Sequence, residues 1–118
     1  MRVLFCGDRD WTDHAMIRAA LRKLPRDTTI IHGAARGADS LAAGIASGRN
    51  MAVFSFPAQW HMYGAAAGSI RNEQMINEGL PDIVYAFHDH LDLSRGTRDM
   101  IDKAESAGIP VTVFTHKE

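Results

Sequence analysis

Two glycine-bearing segments carry the residues best suited to hold an anion: Ile30-Ile31-His32-Gly33-Ala34-Ala35-Arg36-Gly37-Ala38-Asp39-Ser40 and Ser94-Arg95-Gly96-Thr97-Arg98-Asp99. Each follows an apolar run and opens a stretch with helical periodicity. A glycine turn between a strand and a helix presents backbone N–H groups and the positive end of a helix dipole, the usual cradle for phosphate. In the first segment, Gly33 and Gly37 are flanked by small side chains that let a phosphate approach the backbone. The same composition fits a tight turn with a closely packed helix. Asp39 reads either as a helix cap or as an acceptor for a sugar hydroxyl. In the second, Gly96 suits a turn, Thr97 suits a cap, Ser94 offers a hydroxyl, and Arg95 or Arg98 could pair with phosphate in bidentate fashion. Neither segment is a Walker loop or a G-x-G-x-x-G fingerprint.

Other segments add polar and aromatic groups. Gly7-Asp8-Arg9-Asp10-Trp11 closes the first apolar run. Arg9 reads as a member of an ion-pair network or as a ligand-facing cation, with Trp11 beside it to stack on a base. The stretch 58–68 reads as irregular, with Trp60, His61 and Tyr63 in a Gly/Ala frame. It reads as a lid over a base or ribose, with Arg71 and Asn72 pointing at phosphate or sugar, or as a subunit interface. His88-Asp89-His90 lacks a third ligand at a recognisable spacing, so a solvated loop is expected and no metal. His32 is expected to be a hydrogen-bonded structural histidine and Cys6 a small buried hydrophobe.

The elements that must position these groups alternate. Strands are expected at 2–6, 28–32, 51–56, 82–87 and 111–114, and helices at 13–24, 38–48, 69–78 and 97–107. Thr12 or Asp13 can cap the first helix, and Pro25 follows it. Such alternation predicts an α/β fold, a Rossmann-like three-layer αβα sandwich with a five-stranded, mainly parallel sheet. Ligands then sit at the carboxyl edge near the switch in strand order, where the loops after the first, second and fourth strands converge.

The chain has 118 residues, the size of one domain spanning 1–118. Lys+Arg of 13 against Asp+Glu of 14 gives a net charge of -1, which argues against a dedicated nucleic-acid binder. No apolar run reaches the ~20 residues of a membrane span, and residues 3–6 are too short for a signal peptide. The single cysteine excludes an internal disulfide and fits a reducing cytoplasm.

Taken in order, Gly7-Asp8-Arg9, His32-Gly33-Ala-Ala-Arg-Gly37-Ala-Asp39, Phe56-Pro57-Ala58-Gln59-Trp60, Gly64-Ala-Ala-Ala-Gly68-Ser-Ile-Arg71-Asn72 and Ser94-Arg-Gly-Thr97 make the chain resemble the YspA-like family of the SLOG superfamily. Its Rossmann-like relatives include the LOG phosphoribohydrolases and DNA-processing protein A. The resemblance implies a nucleotide or nucleotide-derived, ADP-ribose-like ligand near the two glycine loops, bound by a sensor or sequestering module. Gly33 and Gly37 fall in the first phosphate-loop position, Arg71 resembles the arginine at a helix start in LOG enzymes, and Gly96-Thr97 matches the Gly-Thr of Pro-Gly-Gly-x-Gly-Thr-x-x-Glu. Leu93-Ser94-Arg95 replaces the Pro-Gly-Gly entry, and the motif glutamate falls at Met100. Methionine can neither act as a base nor stabilise a developing cation. Arg71 and Asp99 remain as candidate catalytic residues for a LOG-type N-glycosidase alternative, with Asp8 and Asp39 as further carboxylates. Single-stranded DNA binding is a third reading. A homo-oligomer is expected by the same resemblance, with no cofactor.

Overall fold

The computed structural model describes residues 1–117. The chain forms β1 (Arg2–Gly7), α1 (His14–Arg22), β2 (Thr29–His32), α2 (Ala38–Gly48), β3 (Ala52–Ser55), α3 (Trp60–Tyr63), α4 (Ala67–Asn77), β4 (Ile83–Phe87), α5 (Gly96–Ser106) and β5 (Val111–Phe114). Short 3-10 turns cover Gly64–Ala66 and Leu91–Leu93. The strands pair in the order β3-β2-β1-β4-β5, every pair parallel. The sheet is thus wholly rather than mainly parallel, and its order reverses between β1 and β4.

Period-2 alternation divides the strands between two faces. Val3, Phe5, Ile30 and Phe87 pack beneath Ile17 and Leu21 of α1 and Ala42 and Ala46 of α2. Leu4, Ile31, Val84 and Ala86 pack beneath Met75 of α4 and Met100 and Ala104 of α5. This is the three-layer sandwich expected for strands with few polar breaks. Removing Leu4 or Ile31 from water contributes roughly 1.5–3 kcal/mol each. Ala38, Ala42 and Ala46 repeat every fourth residue and are fully buried, which lets α2 lie close to the sheet. The Asp13 carboxylate caps α1 by accepting the Met16 N–H at 3.1 Å.

One stretch differs from expectation. Residues 58–68 are mostly helical: α3, the 3-10 turn and the start of α4 follow one another. Gly64, at φ 56° and ψ -132°, ends α3 in a backbone conformation that favours glycine. The alanines behind it have the highest helix propensity and wind at once into α4, which begins at Ala67 rather than Ser69.

Candidate functional site

Where the strand order reverses, the helices after β1 and β4 lie on opposite faces, and a crevice opens at the carboxyl edge. A cavity of about 450 Å³ occupies it. Three loops reach it. The β1–α1 loop supplies Gly7, Asp8, Arg9 and Asp10, the β2–α2 segment Arg36 and Asp39, and the β4–α5 loop His88, Ser94, Arg95 and Gly96, with Thr97 following. Helix α4 adds Arg71 and Asn72. The convergence of the three loops is therefore present.

The β1–α1 and β2–α2 loops are fastened together. The Asp8 carbonyl accepts the Ala38 N–H at 3.1 Å and the Trp11 N–H at 3.2 Å. Gly37 sits at φ 76° against the Asp8 and Arg9 backbone, where any Cβ would collide. It lies behind the cavity wall and does not line the cavity. Gly33 likewise lies beneath the Arg71 guanidinium, in space a side chain would fill.

The first loop uses several of its amides internally. Gly33 N–H donates to Asp39 Oδ2 at 2.8 Å, Ala34 N–H to His32 Nδ1 at 3.0 Å, and Ala38 N–H to Asp8. These three groups do not form the open phosphate cradle that loop composition suggested. Burial and the nearby Arg71 charge hold His32 below the ordinary histidine value, consistent with a neutral structural role. The second loop is more open. Ser94 Oγ, not Thr97, provides the side-chain cap, accepting the Thr97 N–H at 3.1 Å. Thr97 is buried in the first turn of α5. Among the described residues, the Gly96 amide has no protein acceptor.

Arg71 dominates the electrostatics. Its Nη1 donates to the Gly33 carbonyl, and its Nε donates to Asn72 Oδ1 at 3.1 Å. Both acceptors are neutral, and among the described residues no carboxylate lies within ion-pair distance of it. Burial pulls its pKa down, partly offset by the field of Asp39. Asn72 is buried and donates to Asp99 Oδ2 at 2.9 Å and the Gly96 carbonyl at 3.2 Å. It links Arg71 to the start of α5 instead of facing a ligand freely. Burial pushes the Asp39 carboxyl up to about 6, against the opposing effects of the Gly33 N–H and Arg71. Arg36 pairs with Asp10 at 3.4 Å in full solvent, a contact of little energy.

Several expected residues lie elsewhere. Asp99 does not line the cavity but joins α4 to α5, bonded to Asn72, to Ser69 at 3.2 Å and to Lys103 at 3.0 Å. Met100, one position on, turns inward and lines the cavity. Trp60, 49% exposed, borders a neighbouring cavity of about 420 Å³. That cavity shares Arg9, Arg36 and Arg71 with the first and also exposes Gly33 and Pro57. Tyr63 lines a further groove beside Ile70, which also borders Arg71. Trp11 is not free to stack on a base: it is buried, its indole N–H donates to the Asp13 carbonyl at 3.1 Å, and its ring stacks on His116.

His88-Asp89-His90 is solvated only in part: His90 is exposed and Asp89 half-buried. His88 is buried, accepts the His90 N–H at 2.9 Å and reaches the cavity, a placement the sequence reading missed. Cys6 is buried at the cavity floor, and burial, reinforced by Asp39, pushes its thiol far above the ordinary value. Among the described residues, no three His, Cys, Asp or Glu side chains are grouped to hold a metal. No helix of the described residues is long and apolar enough to cross a membrane.

These features define a Rossmann-like α/β domain with an arginine-lined cavity at its switch point. A model of the YspA, cpYpsA-related SLOG family matches residues 1–63. The Gene 61 protein of Mycobacterium phage D29 is 37% identical over 125 residues, covering 98% of each chain. The chain belongs to the YspA, cpYpsA-related SLOG family. Membership suggests a nucleotide-related function, while the phage relative's name specifies no ligand.

Proposed function

We propose that residues 1–118 form one domain that binds a nucleotide or nucleotide-derived phosphate ligand, as a sensor or sequestering module. The observation that carries this reading is Arg71: a partly buried guanidinium, oriented by neutral acceptors, without a carboxylate partner and bordering both cavities. A bound phosphate supplies the missing charge through bidentate contacts. Arg9 adds charge from the opposing loop, and the open Gly96 amide adds a donor at the N-terminus of α5. The base rests on Trp60 in the neighbouring cavity, and the sugar spans from there to the phosphate at Arg71.

The alternative, N-glycosidic hydrolysis of LOG type, has Asp39 in its favour. It is the buried cavity carboxyl, with a pKa raised to about 6, the range in which a carboxyl can exchange a proton near neutrality. Against it stands Met100 at the motif-glutamate position, with Asp99 turned into the α4–α5 contact.

The deciding experiment incubates the protein with AMP, ADP-ribose, cyclic ADP-ribose and NAD and records bound ligand and released base by native mass spectrometry. Intact ligand at stoichiometric ratio supports the binding module. Released base or ribose phosphate supports the enzyme. Absence of any bound nucleotide or product overturns both. A cytoplasmic location and a homo-oligomer belong to the same reading. The exposed Met62, Tyr63 and Ile70 offer apolar area for self-association, with sedimentation velocity as the check.

A further inference from the structure

His116, in the segment after β5, touches both loops that flank the switch point. Its Nε2 lies 2.8 Å from Asp13 Oδ2 and its Nδ1 lies 2.7 Å from Asp89 Oδ2. Its backbone N–H donates to Asp89 Oδ1 at 2.6 Å, and Thr115 Oγ1 donates to the same oxygen at 2.9 Å. The imidazole stacks on Trp11, with centroids 4.8 Å apart and planes 19° from parallel. Trp11 and Asp13 continue the loop that carries Asp8, Arg9 and Asp10 into the cavity. Asp89 directly follows His88, which lines the cavity from the other side.

The chemistry of this contact depends on charge. A neutral imidazole has one N–H and one lone pair, and an ionised carboxylate can only accept. Carboxylates against both ring nitrogens are therefore satisfied together only by the imidazolium, which also gains from the indole face. Loss of the proton turns a nitrogen lone pair toward a carboxylate. The other charged neighbours do not supply a substitute: Lys117 Nζ sits 3.0 Å from His90 Nδ1, Asp10 pairs with Arg36, and the underlying rings are Phe87 and Phe114.

We propose that protonated His116 is a strap that fastens the β1–α1 loop to the β4–α5 loop beside the candidate site, and that it releases them when it loses its proton. Hydrogen bonds to Asp13 and then Asp89 raise the folded pKa of His116. The strap's contribution is thus complete below the unfolded histidine value and is lost as pH rises through the higher folded value. On the acid side, bonds from His116 hold Asp13 and Asp89 below the ordinary carboxylate range, so the strap survives until those carboxylates protonate.

The bearing of the strap on ligand binding rests on the nucleotide reading; the strap itself is tested with no nucleotide present, so either can fail without the other. Ring and amide resonances of the full chain are followed by NMR from pH 5.5 to 9. The expected result is a His116 midpoint above the ordinary value of about 6.5. The amides of Asp13 and Asp89 should move with the same midpoint. Asp89→Asn should shift the midpoint down. In a Trp60→Phe variant, Trp11 emission should rise with deprotonation as the imidazolium quencher is lost, and His116→Gln should abolish that step. A midpoint at or below the ordinary value, or loop amides indifferent to it, overturns the proposal.

Discussion

Arg71 and Asp39 grip opposite ends of one residue: the Gly33 N–H donates to Asp39, and the Gly33 carbonyl accepts from Arg71. The two charges share a cavity wall without forming an ion pair. The glycine stands between them, and among the described residues the guanidinium keeps no carboxylate partner.

Arg71→Ala should weaken binding of a nucleoside monophosphate by 10- to 100-fold, the approximate equivalent of ~1.5–3 kcal/mol for a charge-assisted hydrogen bond. Arg71→Lys should recover only part of it, because an ammonium cannot fork. Calorimetric titration decides; equal affinity for the native and alanine proteins would remove Arg71 from the site.

Asp39 sets a pH dependence. The folded carboxyl keeps its proton to about pH 6, whereas the unfolded one releases it near 3.8, so stability falls as pH climbs between these values and stays lower above them. Asp39→Asn should flatten that decline and gain up to about 3 kcal/mol at pH 7.5 relative to its effect at pH 4. Urea unfolding at the two pH values measures it. Parallel losses at both would show that Asp39 carries no buried charge.

Gly37→Ala should destabilise by about 3 kcal/mol or more, since it adds strain at a positive φ to a clash with the neighbouring backbone. Gly44→Ala is the matched control. Its Cβ meets nothing, and an alanine within α2 should add about 0.5–1 kcal/mol. Thermal melts of the pair must move in opposite directions.

Trp60→Ala should separate base from phosphate recognition. AMP should bind several-fold more weakly, whereas ribose 5-phosphate should be unaffected, because Trp60 borders only the cavity beyond the arginines. Equal losses for both ligands would contradict the assigned orientation.

Much of this arrangement was readable in the chain itself. Strands buried on both faces leave near-continuous apolar runs, and 3–6 and 83–87 show them plainly. One residue turns a helix by about 100°, which is enough to set Met100 inward and Asp99 aside. Longer-range relations were not readable. Trp11 looked available because an aromatic in a loop reads the same whether it faces solvent or a distant partner, and its partner, His116, lies at the far end of the sequence. Gly64 and Gly68 suggested an irregular stretch, but Gly64 only caps α3 and Gly68 sits within α4. His88 was hidden by its polar neighbours Asp89 and His90, whose partners Thr115, His116 and Lys117 lie far off in the sequence, while its own burial is set by the sheet.

The switch point also governs when a binding-competent molecule can exist. Leu4 in the central strand pairs with Ile31 on one side and with Val84 on the other. The first pairing closes a short loop, while the second waits for most of the chain and carries a larger loop-closure entropy. A species holding only β1, β2 and β3 would have the first glycine loop, but neither Arg71 nor the α5 terminus would be in place. Recovery of ligand binding during refolding should therefore lag behind early strand pairing and report the docking of β4 onto β1.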